Sequence, residues 1–252
     1  MRIDVYLCQN NIVSSRNKAK SLIEKGLVFY KNKIVTKPSL NISTTEVEIK
    51  DYHKYVGRGA YKLLKAFQEF EILNNDICLD IGSSTGGFTQ VLLENGAKIV
   101  YAIDVGDNQM VDELRNDNRV RLYENTNFRY IDVENFPKFD LIVCDVSFIS
   151  IKLILPNAFK MLNKDGEMIF LIKPQFETKS KNHIIKNKKE HLIIINDINN
   201  YLMKIGFYIS QITFSPIKGK SGNIEYLIHI TKSDNKDINF RNVVDSAFNN
   251  LR

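Results

Sequence analysis

No stretch of the 252-residue chain approaches the roughly 20 consecutive apolar residues that a membrane-spanning helix needs. The opening segment, MRIDVYLCQNN, lacks the basic-then-apolar layout of a secretory signal, so export is not expected and a cytoplasmic location is. The three cysteines, Cys8, Cys78 and Cys144, stand far apart, none with a second cysteine at metal-ligand spacing. That argues against a disulfide framework and a zinc site, and for a reducing compartment. The four histidines are scattered as well, and no metal is expected. Tryptophan is absent altogether.

What the chain has is positive charge, concentrated at one end. Residues 1–65 carry 13 Lys/Arg against 5 Asp/Glu, whereas residues 66–252 carry 22 against 24. A compositional bias toward lysine would spread over the whole length. A basic end on a near-neutral body points instead to a polyanionic partner, nucleic acid above all. With 44% hydrophobic and 25% charged residues the chain is otherwise an ordinary globular sequence, long enough for a small domain beside a medium one.

In the basic end, Arg2 to Gln9 reads as a short helix with Ile3, Tyr6 and Leu7 inward. Ser14 and Ser15 precede a second, from Arg16 to Lys25, with Ala19, Leu22 and Ile23 as its apolar stripe and Arg16, Lys18, Lys20 and Lys25 mostly off it. Gly26 ends that helix. Short β-type runs follow at Leu27 to Tyr30, at Ile34 to Thr36 across a Lys31-Asn32-Lys33 turn, and at Val47 to Lys50. The strings R-I-D-x-x-L, S-S-R-x-K-A-K-x-L-I-E-K-G-x-V and N-x-K-I-V-x-K-P-S resemble the small RNA-binding domain named after ribosomal small-subunit protein four. The resemblance covers residues 1–50 and implies phosphate contacts from the basic helix and the turn after it. Arg2, Arg16, Lys18, Lys20, Lys33 and Lys37 are the expected RNA-binding residues there, with Arg58 further on. Residues 51–58 are expected to be a linker.

From Asn74 onward β-type runs alternate with helical ones. Strands are expected at Ile77 to Ile81, Ile99 to Ile103, Val120 to Tyr123, Leu141 to Cys144 and Glu167 to Ile172, with helices at Gly87 to Asn95 and Ile151 to Leu162. This rhythm predicts an α/β fold with a doubly wound, mostly parallel sheet, whose ligand lies beyond the carboxyl ends of the strands. The first strand runs directly into Gly82-Ser83-Ser84-Thr85-Gly86-Gly87-Phe88, where glycines let the backbone approach a ligand and turn into a helix. Asp104 ends the second strand, where it can accept hydrogen bonds from ribose hydroxyls. A nicotinamide site would use the same logic, but the spacing is not G-x-G-x-x-G. With Asp80 ahead of the first glycine, the segment resembles the D-x-G-x-x-x-G-G-F pattern of FtsJ-like methyltransferases. That implies a Rossmann-like, class I fold binding S-adenosylmethionine through Asp80, Gly82, Ser83, Ser84, Thr85, Gly86, Gly87, Phe88, Asp104 and Val105.

The same resemblance implies a Lys-Asp-Lys-Glu tetrad, and each member has a matching position. Lys62 stands in G-R-G-A-Y-K-L, Asp145 begins D-V-S-F after an apolar strand, Lys173 begins K-P-Q-F-E after another, and Glu225 stands in G-N-I-E-Y. A ribose 2′-hydroxyl is a poor nucleophile at neutral pH and must be oriented and partly deprotonated as it attacks. Lys173 is the expected contact. Carboxylates favour a charged lysine, so Asp145 and Glu225 are expected to orient the lysines. Base N-methyltransferases commonly carry Asn/Asp-Pro-Pro-aromatic where D-V-S-F stands here, and Cys144 follows Val143 rather than the proline common in cytosine C5 enzymes.

Both regions in this order resemble the TlyA, or hemolysin A, family over residues 1–231. The implied activity is 2′-O-methylation of cytidine in ribosomal RNA. The start at Arg2 is similar to the shorter family form, associated with the large subunit alone. Longer members carry a Trp-containing linker where Tyr52-His53-Lys54-Tyr55-Val56-Gly57 stands here. A methyltransferase domain is thus expected at 59–232 and a helical tail at 233–252. The rival readings are a non-catalytic ribosome assembly factor, a membrane-active hemolysin and a nicotinamide-dependent oxidoreductase.

Overall fold

The computed structural model describes the chain except residues 11, 14, 25, 44, 50–54, 179–183, 234–237 and 252. Residues 51–54 of the expected linker, and with them Ser14 and Lys25, therefore lie outside the described residues. The chain forms two compact units, Met1–Tyr55 and Val56–Arg252.

The first unit contains helices α1 (Ile3–Gln9) and α2 (Arg16–Glu24) and strands β1 (Val28–Tyr30), β2 (Lys33–Ile34) and β3 (Val47–Ile49). The strands form an antiparallel sheet in the order β2-β1-β3. Ile3 and Leu7 of α1 and Ala19, Leu22 and Ile23 of α2 pack on Val28 as its core. Ser15 Oγ accepts from the Lys18 amide at 3.2 Å and caps α2. The turn is tighter than expected: Lys31 and Asn32 alone form it, both at positive φ (50° and 60°), so Lys33 is already in β2. Two such residues match the twist of a hairpin pair.

The second unit runs α3 (Ala60–Glu69), β4 (Ile77–Ile81), α4 (Gly87–Glu94), β5 (Ile99–Ile103), α5 (Asp112–Arg115), β6 (Val120–Tyr123), β7 (Phe139–Cys144), α6 (Leu155–Met161), β8 (Leu162–Ile172), α7 (Pro174–Glu177), α8 (Lys188–Lys204), β9 (Tyr208–Phe214), β10 (Tyr226–Thr231) and α9 (Phe240–Asn250). Its seven strands lie in the order β6-β5-β4-β7-β8-β10-β9. The first five are parallel, and β10 runs antiparallel to both its neighbours. Leu141, Ile142, Val143 and Cys144 are all fully buried, which is why β7 reads as an unbroken apolar run rather than an alternating one. Each such side chain contributes roughly 1.5–3 kcal/mol by leaving water, so the position of β7, and of whatever follows it, is strongly determined.

The helix expected over Ile151 to Leu162 is divided. A 3-10 turn occupies Ile151–Leu153, and α6 starts at Leu155 with Pro156 in its first turn. Proline has no amide hydrogen to donate and is tolerated only there, so the α-helix cannot begin earlier. Strand β8 begins at Leu162, five residues before the expected start at Glu167. At the end of the chain, Val244 and Ala247 of α9 are buried in the main core, so this helix docks on the body.

Candidate active site

Chain order doubles back between β4 and β7. From β4 it moves outward to β5 and β6, then returns to the other side at β7, and a crevice opens at such a switch point. Strand registry sets what lies around it. Ile81 pairs with Cys144, so Gly82 and Asp145 leave adjacent strands side by side. The Asp145 amide donates to the Ile81 carbonyl at 3.0 Å. Because β10 is antiparallel, its first residue Tyr226 pairs with the last residue of β8, Ile172. Glu225 and Lys173 are thereby brought to the same end of the sheet, although 52 positions separate them in the chain. The fourth member comes from α3, whose buried positions are Ala60, Lys62, Leu63 and Ala66.

The four side chains form one line of alternating charge. Lys173 Nζ lies 2.6 Å from Asp145 Oδ1, and Lys62 Nζ lies 3.0 Å from Asp145 Oδ2 and 2.8 Å from Glu225 Oε2. Lys62 and Lys173 are each only 7% exposed and Glu225 2%, so neither lysine is a solvated loop residue. Burial would raise the Asp145 carboxyl, but the charges of Lys173 and Lys62 hold it below its ordinary value. Burial would lower Lys62, but Asp145 and Glu225 outweigh that and raise it. Lys62 is thus held as an ammonium ion at neutral pH and serves as a clamp between two carboxylates.

This line forms part of the wall of a cavity of about 740 Å³. The expected cofactor loop supplies another part through Gly82, Ser83, Ser84, Thr85, Gly87 and Phe88. Gly82 has φ +83°, and a Cβ there would lie 2.8 Å from the Asp145 carbonyl oxygen, so only glycine fits between the loop and the tetrad. Ser83 Oγ is buried and has no hydrogen-bond partner among the described residues. A buried hydroxyl left open on a glycine-lined cavity suits a polar ligand such as S-adenosylmethionine.

Four expected cofactor residues do not line this cavity: Asp80, Gly86, Asp104 and Val105. Asp80 is fully buried beneath the loop and accepts from the Thr89 hydroxyl at 2.6 Å. Burial pushes it up to about 7 against that hydrogen bond. Gly86 caps α4. Asp104 ends β5 as expected, and its carboxylate accepts from the Ser84 amide at 2.8 Å and the Gly106 amide at 2.7 Å, while Val105 stands 67% exposed beside it.

Four other wall residues, Ser147, Phe148, Gln175 and Phe176, were not singled out by sequence reasoning. Ser147 Oγ accepts from Lys173 Nζ at 2.9 Å. Phe148, 78% exposed and at φ +66°, stands 5.1 Å from Phe176 between ring centroids. Gln175 is buried with Oε1 unpartnered among the described residues. One signal was available: each aromatic lies three positions after a tetrad member, Phe148 after Asp145 and Phe176 after Lys173. The basic loop Lys218-Gly219-Lys220 also lines the cavity, and a Cβ at Gly219 would lie 2.4 Å from Glu225 Oε1.

The expected RNA-binding residues divide between the units. Arg58 is exposed at the cavity wall of the second. In the first, Arg2 and Arg16 both converge on the buried carboxylate of Asp4, at 3.0 and 2.8 Å, and remain about half exposed themselves. Burial opposes that charge, but the two guanidinium groups hold Asp4 down to about 2. Lys20, Lys33 and Lys37 are exposed and Lys18 is half-buried. Residues 179–183, part of the lysine-rich stretch after α7, lie outside the described residues.

The pattern of the FtsJ-like methyltransferases matches residues 55–232, and that of the S4 domain matches residues 1–47. Fold and site together define a Rossmann-like methyltransferase body behind an S4 RNA-binding domain. Hemolysin A of Brachyspira hyodysenteriae is 47% identical over 237 residues, covering 91% of this chain and 99% of that one. The 16S/23S rRNA (cytidine-2′-O)-methyltransferase TlyA of Mycobacterium tuberculosis is 33% identical, covering 98% and 95%. The 23S rRNA (cytidine-2′-O)-methyltransferase TlyA of Campylobacter jejuni is 36% identical, covering 92% and 100%. The chain belongs to the TlyA, or hemolysin A, family of FtsJ-like methyltransferases.

Proposed function

We propose that the protein transfers a methyl group from S-adenosylmethionine to the 2′-hydroxyl of a cytidine in ribosomal RNA, in the large subunit. The observation that carries this reading is the buried line Lys173–Asp145–Lys62–Glu225 on a cavity shared with the glycine loop. The loop from Gly82 to Phe88 would hold the cofactor, with Asp104 at the end of β5 as acceptor for ribose hydroxyls. When bound, that cofactor supplies an electrophilic methyl group on a sulfonium sulfur. Lys173 holds the attacking hydroxyl at the cavity wall, and Asp145 holds Lys173. Lys62, kept charged by its two carboxylates, fixes Asp145 from the other side. The Phe148–Phe176 pair offers apolar faces on which a base can rest, and Arg58, Lys218 and Lys220 offer charge to the flanking phosphates. Much of the acceleration comes from aligning the oxygen with the methyl group.

The relatives from M. tuberculosis and C. jejuni support the cytidine and the ribosomal substrate, and the second supports the large subunit. Among the described residues no helix is long and apolar enough to cross a membrane. Ribosomal RNA as substrate places the protein in the cytoplasm. The test is incubation of purified large and small subunits lacking the modification with the protein and methyl-labelled S-adenosylmethionine. Label confined to one large-subunit cytidine ribose is the expected result. Label on a base, or on neither RNA, would overturn the reading.

A further inference from the structure

Two segments leave the carboxyl ends of the neighbouring parallel strands β7 and β8. Each carries a tetrad member followed three positions later by a cavity-lining aromatic, Asp145 then Phe148, and Lys173 then Phe176. Their inner ends are tied by the Lys173–Asp145 ion pair at 2.6 Å. Their outer ends are tied by Glu177, whose Oε2 accepts from the Ser150 hydroxyl at 2.5 Å and whose Oε1 accepts from the Ile151 amide at 2.9 Å. Glu177 itself is half-buried and does not line the cavity.

Phe148 lies between these two ties and depends on them. Its φ of +66° is in the left-handed region, where a bulky side chain crowds its own backbone, and such a residue persists only where its surroundings enforce the conformation. Its side chain supplies little of that restraint, since it is 78% exposed and rests on the Phe176 ring at 5.1 Å between centroids. The restraint comes from the flanking chain. On the inner side the Asp145 amide donates to the Ile81 carbonyl at 3.0 Å. On the outer side the buried Ile151 side chain fixes where the chain arrives, but not how the peptide groups before it are turned. The carboxylate of Glu177 fixes that, by charge-assisted hydrogen bonds to two consecutive residues.

We propose that Glu177 is a positioning residue for the RNA: by gripping Ser150 and Ile151 it holds Phe148 in its left-handed conformation against Phe176, so that the aromatic pair is preformed for the base of the target nucleotide. The inference rests on the methyl-transfer reading given above and extends it to a residue that touches neither RNA nor methyl donor. A stacking surface that must first be ordered binds a base more weakly than one already in place. Glu177 therefore acts on RNA affinity, whereas the transfer step belongs to Lys173 and Asp145, which are tied to each other directly.

The test compares Glu177→Ala and Glu177→Gln with the unmodified full-length protein, each alone and combined with Phe148→Ala. Glu177→Ala is expected to raise KM for RNA about tenfold, with kcat and S-adenosylmethionine affinity within about twofold. A glutamine can still accept from the Ile151 amide and donate to the Ser150 oxygen, so Glu177→Gln should restore most of the affinity. Because Glu177 acts through Phe148, adding Glu177→Ala to Phe148→Ala should raise KM no further. A second measurement needs neither RNA nor donor. The chain has no tryptophan, so Phe148→Trp supplies a single indole reporter on the cavity wall. Its fluorescence anisotropy should fall when Glu177→Ala is added and hold when Glu177→Gln is added. An unchanged anisotropy or an unchanged KM would overturn the proposal. So would a rise in KM that Glu177→Gln does not restore, or one that persists undiminished beside Phe148→Ala. Should Glu177→Ala not fold, Ser150→Ala keeps the Ile151 bond and should shift KM and anisotropy in the same directions by a smaller factor, and no shift would equally overturn the proposal. If the unmodified protein transferred no methyl group, the functional reading would fail by itself, and the anisotropy would still decide whether Glu177 holds position 148.

Discussion

Lys62 carries two carboxylates from a single buried position, with Asp145 on one side and Glu225 on the other. Replacing it by methionine keeps the apolar stem but leaves Glu225, only 2% exposed, without its cation. Breaking a buried pair from one side is expected to cost about 3 kcal/mol, read as a lowered Tm in thermal denaturation. The pH response has a definite sign. Lys62 is raised above 10.5 in the folded protein, so its contribution is complete below that value and is lost as the pH rises through the higher folded value. Asp145 is depressed below 3.8, so its contribution is complete above that value and is lost as the pH falls through the lower one. Lys62→Met should therefore flatten the alkaline fall in stability that is expected of the unmodified protein above pH 10.5. An alkaline limb identical in both proteins would count against the clamp.

The elements around the site tolerate little movement, because Gly82 leaves β4 against the backbone of Asp145 at the end of β7. Gly82→Ala would place a Cβ 2.8 Å from a carbonyl oxygen at a φ of +83°. The variant is expected to lose roughly 1–3 kcal/mol of stability, and to bind S-adenosylmethionine at least about tenfold more weakly in a calorimetric titration. Wild-type affinity would mean that the loop does not hold the cofactor. The candidate site was legible in the sequence where a cavity-lining residue sits at the end of a strand or the start of a helix. Asp145, Lys173 and the glycine loop are of that kind, each marked by an apolar run that stops abruptly. Sequence did not reveal what sheet order alone brings together. Ser147 reaches Lys173 only because β7 and β8 are neighbours, and Asp4 holds both Arg2 and Arg16 only because α1 packs on α2. Asp80 stood beside the glycine loop in the sequence, yet the inward pleat of β4 turns its carboxyl into the core. The division of the helix at Pro156 could have been read, since proline belongs in a first turn.

At the scale of the molecule, the chain pairs a basic first unit, proposed to grip RNA, with a near-neutral body, proposed to carry the chemistry. Six cations of the first unit, Arg2, Arg16, Lys18, Lys20, Lys33 and Lys37, are the expected phosphate contacts. If about six phosphates are neutralised, RNA affinity should fall roughly 10³-fold between about 50 and 200 mM salt. A filter-binding series over that range measures it, and a flat response would contradict phosphate-dominated binding. Arg2 and Arg16 are fixed by Asp4, which prepays some of the ordering cost of their contacts.

The most direct test of the central claim is nucleoside mass spectrometry of ribosomal RNA after reaction with the unmodified protein and with Lys173→Ala. One new 2′-O-methylcytidine in large-subunit RNA is expected with the unmodified protein. With Lys173→Ala the same product should form at least about 10²-fold more slowly while S-adenosylmethionine binding is retained. Equal methylation by both proteins would contradict the role given to Lys173, and a methyl group found on the base rather than the ribose would contradict the reaction itself.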